Sequence, residues 1–290
     1  MVSEQKINVK AADGRDIPTY LWREDRPVTA VVMIAHGMGE HILRYRPLAT
    51  TLAAAGFAVF GHDHRGHGQA AADAGTLGQF GPNGFQALSD DMLAISETAV
   101  GRYPGLPQIL LGHSMGSFAA QLFVLEHSRR LAGLVLSGSA ALDLRNAGMT
   151  KGQNKLTDNN APFEPARTEF DWLSRDDGEV DAYIADPLCG FTVDRDAMRS
   201  MRDCAAYLGD PDALAKLDPG MAIYLFAGDQ DPINGEGKWF HPLVERYRAA
   251  GVERIDFDFY EGARHETLNE TNRDEVIENL LAWLHTVVKT

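Results

Sequence analysis

Cysteine is nearly absent, with Cys189 and Cys204 the only two in 290 residues. Two thiols are too few for a disulfide framework, and they have neither CxxC nor zinc-ligand spacing, so free thiols in a reducing compartment are expected. Long apolar runs are missing as well. Nowhere do eighteen consecutive apolar residues occur, which excludes a transmembrane helix, and the first twenty residues hold no apolar stretch of the signal-sequence kind. The expected address is the cytoplasm. Positive charge is scarce too: 27 Lys and Arg face 41 Asp and Glu, a formal charge of −14. That excess repels phosphate backbones and anionic lipid surfaces, so neither nucleic acid nor stable membrane insertion is expected. No internal repeat or low-complexity tract occurs.

What remains is an ordinary globular composition, 44% hydrophobic and 23% charged, which excludes disorder and permits one unit with a full core. Residues 5–10 and 17–22 alternate in character around Asp13-Gly14, the turn pair of an antiparallel ribbon. Short continuous apolar runs then alternate with helical patterns. Strands are expected at 28–35, 57–60, 108–111 and 133–136, with helices at 48–55, 84–100 and after Ser114. The rhythm breaks from about 141 to 215 into polar, Pro- and Asp-containing pieces, and resumes with strands at 221–227 and 255–260 and helices at 237–250 and from Thr271 onward. Thr271-Asn272-Arg273-Asp274 reads as a capping-box start. The fold class is α/β, a mostly parallel central sheet flanked by helices. Its core parts are 1–140 and 216–290, and 141–215 is an inserted cap. The cap holds 15 acids against 8 bases, a net −7, so a repulsive field over the mouth of a pocket, and a preference for neutral over anionic ligands, is expected.

Gly112-His113-Ser114-Met115-Gly116 matches G-x-S-x-G. Its context carries the weight: a buried strand leads in and a helical pattern leads out, the strand-to-helix turn that presents a serine oxygen at a sheet edge. A serine hydroxyl needs a base, and the base needs an orienting carboxylate, in the chain order Ser, Asp, His for this architecture. Asp231 follows the strand at 221–227, and His265 follows the strand ending at Tyr260. Both therefore sit at strand C-termini, where α/β sites gather. Asp229 is the rival acid. His285 is the rival base, but its place inside the last helix favours packing. The loop His36–His41 follows the third expected strand, so Met38 and Met115 would each offer a backbone N–H to an oxyanion. His62, His64 and His67 could be read as a metal cluster, but hydrogen bonding within the loop is the expected role, with no metal and no cofactor.

Longer stretches carry a resemblance. HGMGEHILRYRPLATTLAAAGFAVFGHDHRGHGQ at 36–69, LLGHSMGS at 110–117, GDQDP at 228–232 and GARHETLNE at 262–270 resemble the α/β-hydrolases of the monoacylglycerol lipase, lysophospholipase and serine aminopeptidase-like branch. The resemblance covers essentially the whole core, and HGxGEH followed by an RY pair and DHRGHG is its most specific part. It implies the α/β-hydrolase fold, Ser114, Asp231 and His265 as a catalytic triad, and Met38 and Met115 as the oxyanion hole. The implied activity is hydrolysis of carboxylic esters (a monoacylglycerol, lysophospholipid or other small acyl ester) through an acyl-serine. A serine aminopeptidase or amidase is the alternative, and a catalytically silent binding protein on this fold is a further one. Ser117 stands where many relatives have Gly, and Ala70 where a Ser commonly follows GHGQ. Acyl length, alcohol moiety and oligomeric state are left open.

Overall fold

The computed structural model describes residues 1–148 and 155–289. Positions 149–154 of the expected cap lie outside the described residues. The chain opens with strands β1 (Val2–Lys10) and β2 (Asp16–Glu24), paired antiparallel around the Asp13-Gly14 turn. Strand β3 (Ala30–Ala35), helix α1 (Arg46–Ala54), strand β4 (Phe57–His62) and a short helix α2 (Gly68–Asp73) follow. Next come α3 (Gln86–Arg102), β5 (Gln108–His113), α4 (Met115–His127) and β6 (Gly133–Ser137). The last sheet strands are β7 (Ala222–Gly228) and β8 (Ile255–Tyr260).

These strands form one eight-stranded sheet in the order β1-β2-β4-β3-β5-β6-β7-β8. Only the β1–β2 and β2–β4 pairs are antiparallel. The apolar strands are continuous because both faces of the sheet are covered. Alternate residues of β3 serve opposite sides: Val31 and Met33 join the core beneath α3 and α4, while Val32 and Ile34 join the core beneath α1 and the C-terminal helix.

Between β6 and β7 the chain leaves the sheet. The described part holds α5 (Leu142–Gly148), 3-10 turns at Leu156–Phe163, α6 (Asp177–Ala185), α7 (Arg195–Leu208) and α8 (Pro211–Leu214). Helix α9 (Phe240–Ala249) links β7 to β8, and α10 (Arg273–Val288) closes the chain. The expected capping box at Thr271 is not formed. Asn272 is the N-cap without a side-chain cap bond, and the Thr271 hydroxyl instead donates to the fully buried Glu270 carboxylate at 3.3 Å. No helix among the described residues is long and apolar enough to cross a membrane.

Parallel register places the ends of β3, β5, β6, β7 and β8 along one sheet edge, with Ala35 beside Gly112, His113 beside Ser137 and Gly228 beside Tyr260. The loops leaving that edge carry His36–His41, Ser114, Gly138, Asp231 and His265.

Candidate active site

Ser114 is the residue between β5 and α4, at φ 51° and ψ −121°. A non-glycine residue held there stores about 1–3 kcal/mol of strain, which the surrounding contacts must offset. The neighbouring glycines explain how. A Cβ at Gly112 would stand 2.6 Å from the Gly116 carbonyl oxygen, and one at Gly116 would stand 2.3 Å from that of Ala35. Only bare backbone lets the strand, the turn and the helix pack this closely. The Ser114 N–H donates to the Ser137 carbonyl at 2.9 Å. Ser117 adds a further tie, its hydroxyl donating to the Ser114 carbonyl at 2.6 Å and lying 2.7 Å from Ser139 Oγ. Ala70, the other departure from the resembled pattern, sits exposed in the short helix α2.

His265 is buried on the loop after β8. Its ring stacks on Trp172 with centroids 4.9 Å apart and lies 4.7 Å from that of His113. Gly138 makes room for it, since a Cβ there would meet the His265 ring at 2.9 Å. Nδ1 of His265 is 3.0 Å from Oδ2 of Asp231, which is fully buried. The contact is too bent for a well-formed hydrogen bond, and neither atom has another partner. Such bonds are commonly misaligned before substrate arrives. The other Asp231 oxygen accepts the Ile233 N–H at 2.8 Å, which fixes the carboxylate. Asp229 is employed differently, accepting the Gly262 N–H at 2.8 Å as a turn cap. His285 packs against Phe57 on α10, with centroids 5.4 Å apart.

The loop from His36 to His41 crosses directly over the serine, because a Cβ on Gly37 would stand 3.3 Å from Ser114 Cβ. The Gly37 N–H donates to buried Glu40 at 2.5 Å. Glu40 also accepts from the Tyr45 hydroxyl and from Arg44, and Arg44 is bidentate on Glu266 with both contacts at 2.7 Å. Burial pushes the Glu266 carboxyl up, but the Arg44 charge and its hydrogen bonds outweigh this and hold the pKa down to about 2. Burial pushes Glu40 up against the pull of the same guanidinium. This ion network ties the loop over Ser114 to the residue after His265. Each member lies within a stretch noted in the sequence, but only folding shows that they meet. From the other side, the Gly39 carbonyl accepts from the Tyr183 hydroxyl at 2.8 Å and from the Gly190 N–H at 2.9 Å. Met38 and Met115 both face the pocket of Ser114. As the first residue of α4, Met115 has an amide without an intrahelical acceptor.

The histidines at 62–67 are buried among one another and beside His36. His67 Nε2 accepts the Gly39 N–H, and His36 Nε2 accepts the His64 N–H at 3.0 Å, so those lone pairs serve the loop. Both ring nitrogens of His62 and His64 lack a partner. Elsewhere His41, Asp186 and Cys189 bring ligand-type atoms within 4.8 Å of one another. His41 is paired with Asp186 at 2.8 Å, and burial pushes the Cys189 thiol up, away from the thiolate a metal would need.

A pocket opens above Ser114, lined by Met115, Phe118, Trp172, Met201 and Ile233 among others. Over 183 residues, 61% of this chain, the sequence is 34% identical to the human monoglyceride lipase, and it spans only 58% of that protein. It is 28% identical to the monoacylglycerol lipase of Mycolicibacterium smegmatis over 91% of each chain. A solved carboxyl esterase from Bacillus coagulans superposes with a TM-score of 0.87 at 27% identity, covering 99% of both chains. A family model described as serine aminopeptidase, S33 matches residues 26–272, and the chain belongs to that family of α/β-hydrolases, Hydrolase_4.

Proposed function

We propose that the protein hydrolyses carboxylic esters through an acyl-Ser114 intermediate. The strained Ser114 turn on the same sheet edge as the buried Asp231–His265 pair is the observation that carries this reading. His265 takes the proton from Ser114 Oγ as the oxygen attacks the ester carbonyl, and then gives it to the departing alcohol. Asp231 keeps the ring in the tautomer with Nδ1 protonated and offsets the charge the ring acquires. The Met38 and Met115 N–H groups receive the oxyanion. Water then repeats the cycle on the acyl-enzyme. The segment 141–215 is the cap of this site, supplying Trp172 against His265 and the Tyr183 and Gly190 contacts to the loop at Gly39.

The lipase and esterase relatives support an ester as substrate, with a monoacylglycerol the first candidate. Incubation with a fluorophosphonate should add one covalent group at Ser114, read by mass spectrometry. Ser114→Ala should abolish the adduct and lower ester turnover by roughly 10⁶. Turnover close to wild type in the variant would overturn the reading. Aminoacyl amides in the same panel separate an esterase from an aminopeptidase.

A further inference from the structure

Arg145 on α5 lines the pocket of Ser114. Arg44, Arg65, Arg175 and Arg246 each hold a carboxylate between 2.6 and 2.9 Å. Arg145 differs from them. Among the described residues no carboxylate lies within ion-pair distance of it, and its Nε is buried without a hydrogen-bond partner. The acid two residues earlier, Asp143, is bidentate on Arg246. Asp231 attracts Arg145 at longer range, but its oxygens face Ile233 and His265. Burial pushes the Arg145 guanidinium down to about 10, so it remains charged at neutral pH. Arg145 is half-buried, with Nε out of water and unpaired; a charge held in that way on the wall of a ligand pocket gains from an opposite charge received there.

We infer that Arg145 forms an anion subsite within the pocket, and that an ester carrying a carboxylate away from the scissile bond, such as a half-ester of a dicarboxylic acid, is preferred over its uncharged counterpart of equal length. This rests on the reading of Ser114 as nucleophile. Lys155 and Arg202 against Asp158 add to the polar part of the wall, and Phe118, Met198 and Met201 are available to a methylene chain between the two ends. A guanidinium suits a carboxylate because its planar donors match both oxygens.

Binding is measured first, without chemistry. In the Ser114→Ala protein, monomethyl adipate should bind at least tenfold more tightly than uncharged dimethyl adipate by calorimetry. Arg145→Gln in that background should remove the difference, and Arg145→Lys should restore part of it. In the active enzyme, p-nitrophenyl hydrogen adipate should exceed p-nitrophenyl hexanoate in kcat/KM, and Arg145→Gln should lower that ratio by about 10–100-fold. Equal affinities for the two adipates, or a preference that survives Arg145→Gln, would overturn the subsite. Calorimetry does not depend on turnover, so a protein that binds the half-ester selectively yet hydrolyses neither ester refutes the nucleophile and leaves the subsite standing. Should Arg145→Gln unfold, equal binding of the two adipates to the Ser114→Ala protein alone overturns the proposal.

Discussion

Asp229 and Asp231 are two residues apart on one turn, and their surroundings separate them. Asp231 is fully buried with one oxygen 3.0 Å from His265, whereas Asp229 is partly exposed and caps the Gly262 turn. Asp231→Asn should therefore cost roughly 10³ to 10⁴ in turnover, because an amide cannot hold the same imidazole tautomer or offset its charge. Asp229→Asn should cost far less. Parallel measurement of kcat for the two variants checks the ranking, and a reversal would move the acid to 229. At position 117 the hydroxyl that departs from the resembled pattern ties down the Ser114 carbonyl. The departure thus reinforces the turn at the one strained residue of the site.

At the level of elements, the close approach of β3 to the start of α4 sets the site. The helix can begin at Met115 only because Gly116 lets it pass the Ala35 and His36 carbonyls, where a Cβ would stand 2.3 and 2.4 Å away. Gly116→Ala should push α4 off the sheet, lowering stability by about 3 kcal/mol in urea unfolding and displacing Ser114 enough to depress turnover. An unchanged urea midpoint would show that the backbone relaxes cheaply. The loop from His36 to His41 is held from three sides: by Arg44 and Glu266, by the His67 ring and by the segment at Tyr183 to Gly190. No single element would fix its N–H groups.

Across the whole molecule, where charge sits outweighs its sum. The net −7 of segment 141–215 is spread along it, and seven of those acids serve helix starts. Asp176, Asp194 and Asp210 are N-caps, and Asp177, Glu179, Asp196 and Asp212 occupy first turns, where the exposed N–H groups and the helix dipole favour them. The pocket itself is lined by Arg145, Lys155 and Arg202 against Asp158. Buried histidines give the fold a second global property. Burial lowers the pKa of His62 and His67 to about 4 and of His113 to about 3, with His36 and His64 held well below their ordinary 6.5. They are neutral in the fold, while the unfolded chain takes up protons near 6.5. Their contribution is complete above that pH and falls as the pH drops toward 4, each adding a slope of up to about 1.4 kcal/mol per pH unit. Urea midpoints should fall steeply between pH 6.5 and 4. His62→Leu should shallow the slope by about one proton without loss at pH 7.5, because both its ring nitrogens lack partners. An unaltered slope would place the proton uptake elsewhere.

Apolar runs and turn residues are enough to read the sheet strands, the helices between them and the strand ends at which Ser114, the Asp229–Asp231 turn and His265 lie, because strand burial on two faces and a sharp strand-to-helix turn each demand local residue types. Helix α2 escaped that reading, since Gly68–Asp73 has no apolar periodicity and is held by its neighbours. The meeting of Glu40, Arg44 and Glu266, the different surroundings of Asp229 and Asp231, and the lack of a carboxylate beside Arg145 among the described residues belong to the folded molecule alone. Each depends on which groups from distant segments arrive within about 3 Å, the range over which hydrogen bonds form. Distance of that kind is created when the loops converge on one sheet edge, and no spacing along the chain encodes it.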